Sequence, residues 1–309
     1  MKSLNSPNIF DRRLIQANLE RAEHALPRTD FLLRHAAEEL VGRLEGISRT
    51  FELAADAGAY HGVVAGILNE RFPGTRTISL SPVMALAEAC PAPRAVSTEE
   101  ALPLKDGSLD LVTSALSLHL VNDLPGALIK IRRALRPDGL FLGALLGGET
   151  LIELRQAFMM AETETAGGVS PRVFPTADVR DVGGLLQRAG FALPVVDAER
   201  LTVTYPNPLA LIRELKAMGG ANPLLARSRK PMRRDTLAQA LEIYANNFKD
   251  KDGKVRATFE ILYLCGWAPH ESQQKPLKPG SAKARLADAL RTTEIAAGDK
   301  ANFPRRDKD

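Results

Sequence analysis

A chain of 309 residues with 45% apolar and 25% charged side chains can bury a large core and has an ordinary globular composition. No apolar run nears the roughly 20 residues of a membrane span, and the opening MKSLNSPNIFDRR lacks the apolar centre of a secretory signal, so a cytoplasmic protein is expected. A net charge of only +4, with 5% aromatics and no basic run interleaved with them, argues against nucleic-acid binding.

From Asn8 to Leu44 the pattern is helical. Leu32, Leu33, Ala36, Leu40 and Leu44 recur at helical spacing, and Pro27 divides the stretch into two helices. Residues 1–48 are therefore expected to form an N-terminal helical lid, or a packing helix pair. From Thr50 the pattern alternates. Strands are predicted over Phe51–Ala55, Thr75–Leu80, Arg94–Val96, Leu109–Ser114 and Leu140–Leu145, with helices over Val63–Arg71, Pro82–Cys90 and Leu124–Leu135 between them. Pro137-Asp138-Gly139 is expected to stop the last of these helices and turn the chain into a strand.

Helices Thr150–Ala166 and Ala177–Arg188 follow, then a strand, Leu193–Tyr205. Helices Leu209–Met218 and Thr236–Phe248 precede a final strand, Lys254–Leu264. Strands alternating with helices predict an α/β fold, a Rossmann-like parallel sheet with helices on both faces. Its core is expected over 49–205, with a helical insertion and the final strand over 206–274. Residues 275–309, rich in Lys, Pro, Gly and Ala, read as a flexible tail. Cys90 and Cys265 sit outside any C-x-x-C pair, which disfavours a zinc site or a disulfide frame.

The chain is organised around FELAADAGAYHGVVAGIL, Phe51 to Leu68: a buried strand, a tight turn and an apolar helix. In doubly wound sheets this is where the first strand delivers a cofactor to a helix N-terminus. The turn keeps Asp56, Gly58 and Gly62, with Ala59, Tyr60 and His61 between the glycines.

Four further motifs follow in order: Leu102-Pro103-Leu104, Leu109-Asp110-Leu111-Val112, His119-Leu120 and Leu135-Arg136-Pro137-Asp138-Gly139. Together with the turn they resemble class I S-adenosylmethionine-dependent methyltransferases. That likeness implies an antiparallel last strand and S-adenosylmethionine as cofactor. The blocks ALSLHLVNDLP, GALLGGETLIELR, AETETAGGVSPR, LLQRAGF and GWAPHESQ narrow the resemblance to one branch. This is the methyltransferase-like assembly factor of respiratory complex I, a protein arginine hydroxylase in mitochondria, with its bacterial relatives. The likeness runs from Asn8–Arg12 to Gln273. By comparison, the malonyl-carrier-protein methyltransferase of biotin synthesis is similar only through the core.

The resemblance implies cofactor contacts at Asp56, Gly58, Tyr60, Gly62, Ser79, Thr98 and Glu99. Three of these depart from the family pattern. Tyr60 stands at the middle glycine of the turn, where its Cβ is expected to obstruct a positive φ. Ser79 stands where an acid binds the ribose hydroxyls. Thr98, followed by Glu99 and Glu100, stands where an acid recognises adenine. Asp56 could serve in the pocket or cap the following helix.

His119 follows the fourth strand on the rim where such sheets carry reacting groups, as a base, a substrate contact or a partly buried histidine. Glu149, after Gly147-Gly148, could meet a substrate or belong to a turn and cap. Asp123 is expected to cap the helix after it. His270-Glu271 lacks a third ligand at recognisable spacing, so no metal site is expected; an iron centre would need His61 or His119 from afar.

Three functions remain open on this reading. The first is a protein acting in respiratory NADH dehydrogenase (complex I) assembly, modifying an arginine of a protein subunit. The others are an S-adenosylmethionine-dependent methyltransferase and a scaffold that has lost its cofactor.

Overall fold

The structure, a computed structural model, describes residues 8–274 and 286–293. By its contacts the chain divides into two units, Met1–His270 and Glu271–Asp309. The second unit contains one described helix, α10 (Leu286–Leu290); residues 275–285 and 294–309 of the expected tail lie outside the described residues. Everything below concerns the first unit.

Its strands are β1 (Leu53–Ala57), β2 (Arg76–Ser81), β3 (Arg94–Val96), β4 (Leu109–Ala115), β5 (Leu135–Leu146), β6 (Ala192–Tyr205) and β7 (Val255–Trp267). They form one sheet of order β3-β2-β1-β4-β5-β7-β6. Neighbours from β3 to β5 pair in parallel, while β7 runs antiparallel to both β5 and β6. The last strand is therefore antiparallel.

The helices are α1 (Arg12–Ala22), α2 (Phe31–Gly42), α3 (Val63–Arg71), α4 (Met84–Ala89), α5 (Leu124–Ala134), α6 (Ile152–Ala166), α7 (Val179–Arg188), α8 (Pro208–Ala217) and α9 (Arg234–Asn247). Side chains alternate across each strand, so the sheet separates two apolar cores. Ala54, Leu111 and Leu142 pack with Ala36 and Leu40 of α2, Leu68 of α3 and Tyr244 of α9. On the other face Ala55, Val112 and Phe141 pack with Leu128 and Ile131 of α5 and Leu186 of α7. Every residue of β4 is buried, the polar Asp110, Thr113 and Ser114 included, as befits a strand at the centre of a parallel sheet covered on both faces. No described helix is long and apolar enough to cross a membrane.

Short polar residues fix the element ends. Asp11 accepts from Leu14 N at the start of α1, and Asp123 accepts from Gly126 N (2.9 Å) at the start of α5, the capping expected of it. Asp110 explains two motifs at once. Its Oδ2 accepts the Glu52 and Leu53 amides, and its Oδ1 pairs with Arg136 Nη1 at 2.8 Å.

One expectation is revised. Pro137-Asp138-Gly139 does not precede β5 but lies within it. The β4–β5 register shifts there, with Asp138 at φ +63° and its N–H donating to Ala268 O. Ala36, Ala37 and Leu40 of α2 are fully buried in the core, as a packing helix would have them.

Candidate functional site

The carboxyl ends of β1, β4 and β5 meet at the turn Asp56–Gly62, and Tyr60 divides the space there into two regions. Tyr60 holds φ +47° despite its Cβ, so the obstruction expected from the sequence does not occur. The conformation costs on the order of 1–2 kcal/mol and is held by bonds at both ends of the residue. The hydroxyl donates to Leu116 O at 2.6 Å, and the carbonyl accepts from Ser81 Oγ (2.8 Å) and Cys90 Sγ (3.3 Å).

On one side lies the crevice that should receive a nucleoside. Gly58, at φ +76°, is covered by the chain's own side chains: a Cβ there would lie 2.1 Å from Ser117 Oγ and 2.8 Å from Glu99 Oε1. Gly62, at φ +83°, abuts Cys90 and Pro91, and a Cβ there would lie 2.6 Å from Pro91 Cδ. Ser79 pairs in register with Asp56, is fully buried, and donates to Pro91 O at 3.4 Å. Thr98 is half-buried beside Glu99. Glu99 is buried and pairs with Arg12 of α1 at 3.4 Å, and Arg12 also reaches Glu100 at 3.5 Å. Asp56 accepts from Thr113 through Oδ1 (3.2 Å), while its buried Oδ2 has no hydrogen-bond partner. Burial raises its carboxyl to about 7, and the Thr113 bond offsets only part of that.

On the other side is an apolar cavity of about 110 Å³, walled by Leu33 of α2, Leu116, Leu146, Leu151, Met218 and Phe259, among others. The polar residues among its walls are Asn18, Thr29, Asp30, Tyr60, His119 and Thr150. Among the described residues Asp30 is its only carboxylate. The cavity wall also concentrates strain. Six described non-glycine residues have positive φ, and three of them, Tyr60, Leu116 and Leu151, line this one space. Such residues persist where the surroundings over-determine them, and they cluster at functional sites.

His119 sits in this wall, its ring stacked on Phe174 with centroids 5.4 Å apart and planes at 20°. Burial lowers its pKa to about 3, so the imidazole is neutral at physiological pH, and its Nδ1 has no partner. Phe174 is carried in by the loop after α6. Glu162 anchors that loop by accepting from Ser170 N (2.7 Å) and Arg172 Nε (2.8 Å). Glu149 is elsewhere: its carboxylate is half-exposed and pairs with Arg200 of β6, and it does not line the cavity of His119.

The structure thus gathers Asp56, Gly58, Tyr60, Gly62, Ser79 and Glu99 around the crevice, places His119 in the cavity and leaves Glu149 outside both. Sequence reasoning missed Asp30 and the role of Arg12. Asp30 immediately precedes an apolar helix, a position that reads as an N-cap; its side chain makes no capping bond.

Comparisons with known proteins fit this geometry. The family described as "Methyltransferase domain" matches residues 55–143, from β1 into β5. The chain is 41% identical to the mitochondrial arginine-hydroxylase NDUFAF5 of Danio rerio, over 91% of this chain and 89% of that protein. The chain belongs to the NDUFAF5 family. It is also 34% identical to a malonyl-[acyl-carrier protein] O-methyltransferase of Laribacter hongkongensis, over 87% of this chain and 94% of that protein. That second likeness extends well beyond the core, which corrects the narrower extent expected from the motifs. Among solved structures the YcgJ protein of Bacillus subtilis superposes with a TM-score of 0.53 at 16% identity, covering 76% of this chain and 99% of that one; this is a likeness of fold.

S-adenosylmethionine is the cofactor that methyltransferase resemblance implies for an NDUFAF5-family chain, and the motif that would hold it is as degraded in space as in sequence. The orphaned Oδ2 of Asp56 and the bend at Gly58 remain from such a site. The rest does not fit. Ser79 offers one hydroxyl, already turned to Pro91, where two ribose hydroxyls would need an acceptor. A Cβ at either glycine would meet Ser117, Glu99 or Pro91, and the pocket left on this side of Tyr60, lined by Arg12, Glu99 and Ser117 among others, is only about 10 Å³. In this arrangement no step passes through the cofactor. Among the described residues no group of three or more His, Cys, Asp or Glu is placed to hold a metal ion.

Proposed function

We propose that this chain acts on a protein, modifying an arginine of a respiratory NADH dehydrogenase (complex I) subunit during assembly. The observation that carries the proposal is the 41% identity to an arginine-hydroxylase, running through 91% of this chain and so through the elements that wall the cavity as well as the sheet. The cavity is suited to a long aliphatic stem ending in a cation: leucines take the methylenes and one carboxylate lies in the wall. His119, neutral and stacked on Phe174, can accept or donate one hydrogen bond without adding charge. Hydroxylation needs an oxidant and electrons from outside these residues. The role derived for them is to bind the side chain, orient it and exclude water. The place of action is a bacterial-type cytosol or an equivalent compartment.

The test is deletion of the gene followed by native electrophoresis and NADH dehydrogenase assay of the membranes. The expected result is loss of assembled, active complex, restored by the wild-type gene. Fully assembled and active complex in the deletion strain contradicts the reading. A second reading, an S-adenosylmethionine-dependent methyltransferase, is favoured by the 34% identity to a malonyl-[acyl-carrier protein] O-methyltransferase. Calorimetry with S-adenosylmethionine separates the two.

A further inference from the structure

We infer that Asp30 receives the guanidinium of the substrate arginine, through the carboxylate oxygen Oδ1. The inference rests on the proposed function above and names the residue that would give it specificity. Among the described residues Asp30 is the cavity's only carboxylate, and its side chain is 9% exposed. Both of its hydrogen bonds fall on one oxygen: His61 Nε2 lies 3.0 Å and Arg34 Nη2 2.8 Å from Oδ2. Oδ1 accepts none from the described residues. A buried carboxylate with one oxygen fixed and the other unused is pre-oriented for a further charged donor, since His61 holds the group in place while Oδ1 keeps its acceptor capacity.

The surroundings select for arginine in two ways. The walls at Leu33, Leu116 and Leu151 are apolar, so a cation enters only on an aliphatic stem that covers them. A guanidinium, with its donors in a fixed planar fork, is better matched than a compact ammonium to a carboxylate oxygen whose position His61 already fixes. Leu116 and Leu151 line this space while held at positive φ of 51° and 54°, a conformation that costs free energy and that clusters at functional sites.

The probe is Nα-acetyl-arginine methylamide, titrated into the protein while leucine methyl resonances are followed by NMR. The expected result is movement of Leu33 and Leu116, and none with the norleucine analogue, which keeps the stem without the guanidinium. Asp30→Asn should weaken binding about ten- to hundredfold, and Asp30→Glu should retain most of it. Arg34, 56% exposed, competes for the same carboxylate. Arg34→Ala should therefore tighten binding, by up to about fivefold, and this variant decides the matter even if Asp30→Asn does not fold. Unchanged affinity in Asp30→Asn or in Arg34→Ala, or no shift at the cavity methyls with the arginine probe, overturns the inference. The function itself is judged separately, by mass spectrometry of NADH dehydrogenase subunits from the deletion strain carrying the wild-type gene. Absence of any modified arginine there sinks the function, whereas a modified arginine in cells carrying Asp30→Asn at wild-type level sinks only the role of Asp30.

Discussion

Tyr60 has a nearly filled space on one side, about 10 Å³, and a larger cavity of about 110 Å³ on the other. Toward Asp56 and Ser79 the crevice typical of this fold is narrowed by Ser117, Glu99, Cys90 and Pro91 to a pocket of about 10 Å³ that Arg12 also lines. Toward Asp30 and His119 a leucine-walled cavity persists, with two polar atoms in its wall that lack partners. The same sheet edge supports both. The difference teaches that side chains at a few turn positions can close a ligand site while the backbone that shaped it stays, and that the neighbouring site need not close with it.

The sharpest way to break this comparison is Gly58→Ala. If the crevice were open, a methyl there would be tolerated apart from its φ. Because it would meet Ser117 Oγ at 2.1 Å from a residue at φ +76°, the expected loss is about 2–4 kcal/mol by urea unfolding. A loss under about 1 kcal/mol would show that the crevice is not packed.

Next in size is a gain. The double substitution Tyr60→Gly with Ser79→Asp removes the filler and supplies a ribose acceptor. Calorimetry should show S-adenosylmethionine binding at least about tenfold tighter than to the parent, since one charged hydrogen bond contributes about 1.5–3 kcal/mol. No gain would mean that the crevice is closed by more than these two side chains.

The pH dependence of stability comes third. Asp56, raised to about 7, keeps in the folded state a proton that the unfolded chain has lost, so its contribution falls as pH rises from about 4 to 7. His119, lowered to about 3, refuses a proton that the unfolded chain binds, so its contribution rises with pH from about 3 to 6.5. The two oppose one another across most of that window. Asp56→Asn should leave His119 acting alone, so thermal melts should show stability climbing through the window more steeply than in the parent. Parallel profiles would contradict the burial assigned to Asp56. The smallest effect is expected of Arg12→Ala, about 1 kcal/mol or less, because its contacts to Glu99 and Glu100 are long and Arg12 is a quarter exposed.

Much of the frame was legible in the sequence because it depends on local periodicity. All seven strands fall where alternation or short apolar runs place them, and the α3 limits Val63–Arg71 are those expected. Boundaries failed where tertiary pairing overrides local turn chemistry, as at Pro137-Asp138-Gly139, absorbed into β5 by the register shift opposite β4. Tyr60 and Ser79 were readable as departures, but not as parts of a packed crevice, because Pro91 and Ser117 reach them only in three dimensions. Asp30 and the cavity were invisible for the same reason. The carboxylate meets His61 from 31 positions away, and the walls come from α2, the ends of β4 and β5, and the segment after α8.

One NMR titration series on a sample labelled at leucine and alanine methyls tests the central claim most directly. The arginine probe should move Leu33 and Leu116, while S-adenosylmethionine at the same concentration leaves Ala57 and Ala59 in place. Shifts of Ala57 and Ala59 with S-adenosylmethionine, and still leucines with the arginine probe, would contradict it.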